Sequence, residues 1–155
     1  MKITVLAVGR LGRTVESVLA QTYAERAAAT GRALGLGPVD LVEVEGRKPG
    51  RDSEGEALLA ALPPHARLIA CDEGGRAWPS EPFAERLAAF RDGGERRLVF
   101  VIGGADGLSP KVREAATELI AFGPQTWPHA LVRVLLTEQL YRAATILAGG
   151  PYHRA

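Results

Sequence analysis

Apolar and polar positions alternate along the chain in blocks of two kinds. Lys2–Val8 is a short apolar run ending at Gly9 and predicts a buried strand. Residues 98–102 are continuously apolar, as expected of a central strand in a parallel sheet. Val39–Val44 mixes apolar with acidic residues and predicts a strand with one wet face. A further strand is predicted over residues 67–71, and a short extended segment near 120–122. Helical patterns fill the intervals. The first covers residues 14–34 and stops at Gly35-Leu36-Gly37-Pro38. Residues 54–62 form a short helix ended by Pro63-Pro64, and residues 82–91 one capped by Ser80 and closed by Gly93-Gly94. Ser109-Pro110 is an N-cap followed by proline at the first helical position, opening a helix to about Leu119. Pro128 opens a last helix to about Leu147, with Gly149-Gly150-Pro151 as its stop.

Strands alternating with helices predict an α/β domain with a largely parallel sheet flanked by helices, and the whole chain, 1–155, reads as one domain. Ligands of such sheets sit at the carboxyl ends of the strands. Three segments occupy those places: 72–76, 103–108 and 123–128. The last helix is apolar nearly all round, which predicts burial on two sides, one against its own sheet and the other against the rest of the core or a partner subunit. Arg133, Glu138 and Arg142 interrupt it, the last two at the i,i+4 spacing of a surface ion pair.

Charge narrows the possibilities. A net charge of +1 excludes a bulk polyanion binder, although Arg outnumbers Lys 16 to 3 and suits bidentate phosphate contacts. Arg10, Arg13, Arg47, Lys48 and Arg51 lie in predicted loops where such contacts form. The longest uncharged stretches fall short of the ~20 apolar residues of a membrane span, and the N-terminus has no signal-peptide pattern. The single cysteine, Cys71, allows no internal disulfide and fits a reducing, cytoplasmic location. No metal-ligand spacing and no nucleophile elbow is present. Gly103-Gly104-Ala105-Asp106-Gly107 follows a buried strand and precedes a capped helix, where glycines let a backbone approach a ligand closely. It is neither a Walker loop nor a dinucleotide fingerprint. His65 and His129 read as loop and first-turn residues. The end of the chain, Pro151-Tyr152-His153-Arg154-Ala155, brings together a phenol, an imidazole and a guanidinium, although chain ends usually fray.

Four ordered blocks carry a resemblance: residues 100–109 around Gly103-Gly104, residues 126–133 with Trp127-Pro128-His129, residues 138–143 with Glu138-Gln139-Leu140-Tyr141-Arg142, and Pro151-Tyr152-His153-Arg154. The chain resembles, over its whole length, the bacterial ribosomal large-subunit pseudouridine N3-methyltransferases, small members of the knotted SPOUT class. The resemblance implies an α/β sheet with a C-terminal trefoil knot, S-adenosylmethionine as methyl donor, and a homodimer formed through the C-terminal helix. It places donor contacts at Cys71, Gly103, Phe122, Gly123, Pro124, Gln125, Thr126 and Trp127. Cys71 stands where larger apolar residues are common, and Gly123-Pro124-Gln125 departs from the usual Ser- and Leu/Met-containing form.

The implied reaction is an in-line displacement whose nucleophile, a ring N3, must lose an imide proton. Arg154 or Arg142 would stabilise the anionic base, His153 assist deprotonation, and Tyr152 pack on the base or donor, in the partner subunit's site. With no room for an appended RNA-binding domain, the substrate would be ribosomal RNA in the assembled ribosome. Two alternatives stay open: a SPOUT methyltransferase acting on transfer RNA, and a ribosome-associated binding module without turnover.

Overall fold

The computed structural model describes residues 1–154. Five strands form one sheet in the order β2-β1-β4-β3-β5: β1 (Lys2–Val8), β2 (Val39–Val44), β3 (Arg67–Ala77), β4 (Arg97–Ile102) and β5 (Glu118–Ala121). Every pairing is parallel. Five helices flank it: α1 (Val15–Gly31), α2 (Arg51–Ala60), α3 (Ser80–Asp92), α4 (Pro110–Ala115) and α5 (His129–Leu147).

Parallel strands buried on both faces explain the continuous apolar runs. On one face Ile3, Val5, Ile69, Leu98, Phe100 and Ile120 pack with Ala24 and Ala27 of α1, Phe83 and Leu87 of α3, and Leu136 and Leu140 of α5. On the other, Leu6, Val8, Leu68, Val99 and Val101 pack with Leu58 of α2 and Val112 of α4. β4 is the central strand, as its apolar run predicts, with Leu98, Val99, Phe100 and Val101 fully buried.

The cap at Ser109 forms as predicted, its Oγ accepting from Val112 N; Thr14, expected as the first helical residue, instead caps α1, its Oγ1 accepting from Ser17 N. Ser80 does not cap. The third helix begins at Ser80 itself, with Pro79 as N-cap, and the Ser80 hydroxyl donates to Gln139 Oε1 at 2.8 Å. The helix after Pro110 ends at Ala115, short of Leu119, because Thr117 bonds through both N and Oγ1 to Leu68 O and β5 then pairs with β3.

The largest departure is at β3, which continues to Ala77. Its register shifts so that both Cys71 and Arg76 pair with Ile120, and Asp72-Glu73-Gly74-Gly75 bulges out between them. The predicted loop is therefore a bulge within a strand. Gly75 permits it, since a Cβ there would lie 2.6 Å from backbone atoms of Leu119 and Ile120.

α5 is sandwiched between α1 and α3 on one face of the sheet, and its inward residues Leu136, Leu140, Ala143 and Ala144 are buried. Val15, Val18 and Leu19 at the start of α1, with Trp127 and Leu131 at the start of α5, remain exposed.

Candidate functional site

A cleft of about 800 Å³ opens at the carboxyl edge of β3, β4 and β5, a size suited to a small organic ligand. The β3 bulge, the 103–108 turn and the 122–127 loop form its walls, and the first turn of α5 closes one end. Cys71, Gly103, Phe122, Gly123, Gln125, Thr126 and Trp127 all line it; Pro124 is exposed and lies outside the lining.

Each wall is held by local bonds. The 122–127 loop is folded on itself by Trp127 Nε1 donating to Phe122 O at 3.0 Å, and tied to the bulge by Thr126 Oγ1 donating to Glu73 Oε2 at 2.8 Å. Asp72 accepts from Gly74 N at 2.9 Å and pairs with Arg113 at 3.5 Å, linking the bulge to α4. The glycine turn is compact: a Cβ on Gly103 would come within 2.8 Å of the Gly107 carbonyl. Burial first, and then the charge of Asp72, push the Cys71 thiol up to about 12. It stays protonated and serves as wall, not nucleophile.

Beneath the turn lies a group that sequence reasoning missed. The Glu54 carboxylate occupies the space where a side chain on Gly104 would sit, 3.0 Å from that Cβ position. Its Oε2 and the Nδ1 of His129 are both buried without a hydrogen-bond partner among the described residues. Burial, then the charge of Asp106, raise the Glu54 carboxyl above its ordinary value of 4.5, with His129 opposing. A carboxyl raised in the fold favours the folded state below its unfolded value, and that advantage is lost as pH rises through the folded value. Glu54→Gln should therefore gain stability relative to the parent as pH rises from 4.5 towards 7 in urea titrations; a constant difference across that range would refute the assignment. Only the α2 pattern hinted at Glu54, and nothing in the sequence places α2 beneath the turn.

The four residues expected to be catalytic sit elsewhere. Tyr152 stacks on Tyr141 at 4.5 Å between ring centroids, and its hydroxyl donates to Glu138 Oε1 at 3.0 Å. Arg142 donates to the same oxygen from Nε at 3.0 Å and Nη2 at 2.5 Å, and lies over the Tyr152 ring at 4.8 Å. Arg142 Nη1 is 3.3 Å from His153 Nδ1. A guanidinium only donates, so Nδ1 accepts and the imidazole proton lies on Nε2, which faces Glu81 at 3.6 Å. Burial, then the bond to Glu138, raise the Tyr152 phenol, which stays a donor. Arg154 is exposed. The chain end is thus packed at Tyr152 and His153, and the Glu138–Arg142 pair is a half-buried hub, not a surface pair. This cluster does not meet the cleft. Arg142 is 13 positions beyond His129 on α5, about 20 Å along the helix at ~1.5 Å per residue.

Among the described residues no group of three or more His, Cys, Asp or Glu is placed to hold a metal, and no helix is long and apolar enough to cross a membrane.

Comparison with known proteins follows the same lines. Residues 1–153 match the family described as "Predicted SPOUT methyltransferase". The chain is 62% identical to ribosomal RNA large subunit methyltransferase H of Caulobacter vibrioides, covering 99% of each chain. It is 53% identical to the protein of that name from Hyphomonas neptunium, over 100% of each. The Ruegeria pomeroyi protein of the same name is also 53% identical, over 99% of each.

Proposed function

The chain belongs to the SPOUT methyltransferase family, and from that premise we propose that it methylates N3 of a pseudouridine in large-subunit ribosomal RNA, using S-adenosylmethionine. The observation that carries the reading is the cleft at the carboxyl edge of the sheet, bounded by the 103–108 and 122–127 loops. Its features fit the donor: enough volume, a glycine turn bare of side chains, a neutral thiol wall at Cys71, and carboxylates at Asp72, Glu73 and Asp106 that favour a cationic ligand. When bound, the donor supplies an electrophilic methyl on a sulfonium, whose leaving group is a neutral thioether.

The chain's own residues then position the base, accept the proton lost from N3, stabilise the negative charge left on the base and exclude water. Gly103 and the 122–127 loop hold the donor by backbone groups, which makes the unusual Gly123-Pro124-Gln125 tolerable. Arg154 meets the negative charge developing on the base, since Arg142 is already committed to Glu138. Tyr152 presents its ring to the base. His153 Nδ1 is occupied by Arg142, so its help with the proton requires that contact to release on docking.

One protomer holds the cleft and the tail cluster apart, so the reading requires a homodimer in which each tail completes the partner's cleft. The exposed apolar residues at the starts of α1 and α5 supply the contact surface. The reading includes a trefoil knot around the cleft, residues 1–155 as one domain, and a cytoplasmic place with its ribosomal substrate.

Labelled methyl supplied as S-adenosylmethionine should enter large-subunit RNA of ribosomes isolated from cells lacking the enzyme. Label in transfer RNA instead would move the substrate to another class, and donor binding without transfer would leave a binding module. Phosphate anchoring by exposed Arg and Lys adds a salt dependence: kcat/KM for ribosomes should fall roughly tenfold or more between 50 and 200 mM salt if only a few phosphates are contacted. A flat response would exclude phosphate anchoring.

A further inference from the structure

We infer that Arg133 is a positioning residue: it holds the loop between β1 and α1 so that Arg10 and Arg13 face the RNA beside the cleft. The inference rests on the reading of the chain as a ribosomal RNA methyltransferase.

In the sequence Arg133 merely interrupts an apolar helix. In the fold it is one of the few buried charges, 5% exposed. Its guanidinium leaves α5 and reaches the carboxyl ends of two strands. Nη2 donates to Val8 O at 2.9 Å and Gly9 O at 2.7 Å, and Nη1 to Glu43 Oε2 at 2.6 Å. The same Glu43 oxygen accepts from Leu11 N at 2.8 Å. Arg133 Nε has no hydrogen-bond partner among the described residues. Burial works against the Glu43 charge, but the bonds from Arg133 and Leu11 outweigh it and hold the carboxyl below its ordinary range.

These bonds fix the end of β1 at Val8 and two points of the loop, Gly9 and Leu11. Gly9 and Gly12 turn it at positive φ, +92° and +60°, and the Thr14 cap fixes its far end at α1. What remains free is the pair of guanidinium heads. Arg13 is exposed, and the Arg10 side chain is 78% exposed with only a 3.8 Å approach to Glu45. A loop whose backbone is tied while its cations stay in water is a rigid phosphate-contacting surface, because little order remains to be lost on binding.

The anchor also has a meaning for register. His129 and Val132 line the cleft and Arg133 follows directly, so cleft and loop are referenced to one helix. Only an Arg fork can serve two carbonyls and a carboxylate at once; a Lys ammonium keeps the charge without that geometry.

The test uses the full-length enzyme, with Arg133→Lys as the main variant. The double variant Glu43→Gln/Arg133→Met, which replaces both charges of the pair, is the second in case the first folds poorly. S-adenosylmethionine affinity is measured by calorimetry, and kcat and KM for ribosomes across a salt series. Both are repeated in an Arg10→Gln/Arg13→Gln background. The expected result for Arg133→Lys is donor affinity and kcat within about twofold, KM for ribosomes up about tenfold, and a salt slope shallower by about one. In the Arg10→Gln/Arg13→Gln background the same change should add less than about twofold, because both act through the same contacts. A full, additive loss in that background, or a loss confined to donor affinity or kcat, overturns the inference. If the parent enzyme neither binds the donor nor methylates ribosomes, the functional reading fails first, a different signature from either.

Discussion

Deletion of residues 152–155 should abolish methyl transfer while leaving the dimer and donor binding intact. The expected loss in kcat is about 100-fold or more, the scale on which removal of one preorganised charge-stabilising group acts. In the proposed reaction Arg154 is the cation at the developing anion, and Tyr152 and His153, held by Glu138 and Arg142, would carry it into place. Tyr152, His153 and Arg154 do not line the cleft, so calorimetry with S-adenosylmethionine should give an unchanged affinity. The proposed homodimer should form and persist in sedimentation, because the exposed apolar residues at the starts of α1 and α5, its proposed contact surface, remain. Full turnover in the truncated protein would remove the tail from the reaction.

Gly103→Ala should do the reverse. The added methyl would lie 2.8 Å from the Gly107 carbonyl and 3.1 Å from Leu108 Cδ2, so the turn must shift into the cleft or open away from it. Overpacking of this kind costs about 1–3 kcal/mol, which corresponds to roughly tenfold to a hundredfold in donor affinity if the cleft absorbs it. The tail cluster is remote from Gly103 and its geometry should survive, visible as unchanged near-ultraviolet signals from Tyr141 and Tyr152. Wild-type affinity in Gly103→Ala would mean that the turn does not cradle the donor.

Much of this architecture was legible because the sheet is parallel and buried on both faces. Strands such as Lys2–Val8 and Val39–Val44 announce themselves by continuous or alternating apolar character, and the helix after Pro110 by the capping chemistry of Ser109. The failures share a cause: tertiary pairing overrode local signals. Asp72-Glu73-Gly74-Gly75 looks like a loop because its residues disfavour strands, but Ile120 pairs on either side of it and makes it a bulge. Ser80 looks like a cap until Gln139 claims its hydroxyl.

The donor contacts were implied by the resemblance and not by any local pattern, and seven of those eight residues line the cleft. His129, by contrast, read as an ordinary first-turn residue, Arg133 as an interruption of its helix, and Glu54 as the opening residue of a short one. Their importance lies in long-range placement: Arg133 meets Glu43 across 90 positions, which no local pattern encodes. The packed tail was hidden for a similar reason, since only the fold shows Tyr141 beneath Tyr152.

The most direct measurement is activity in mixed dimers. Chains carrying Gly103→Ala are co-refolded in equal amount with chains lacking residues 152–155, and methyl transfer to ribosomes is measured. Half of the dimers are then mixed, and each pairs one intact cleft with one intact tail from opposite chains, so about a quarter of parental activity should return. Activity no greater than the average of the two inactive parents would contradict a site assembled from both chains.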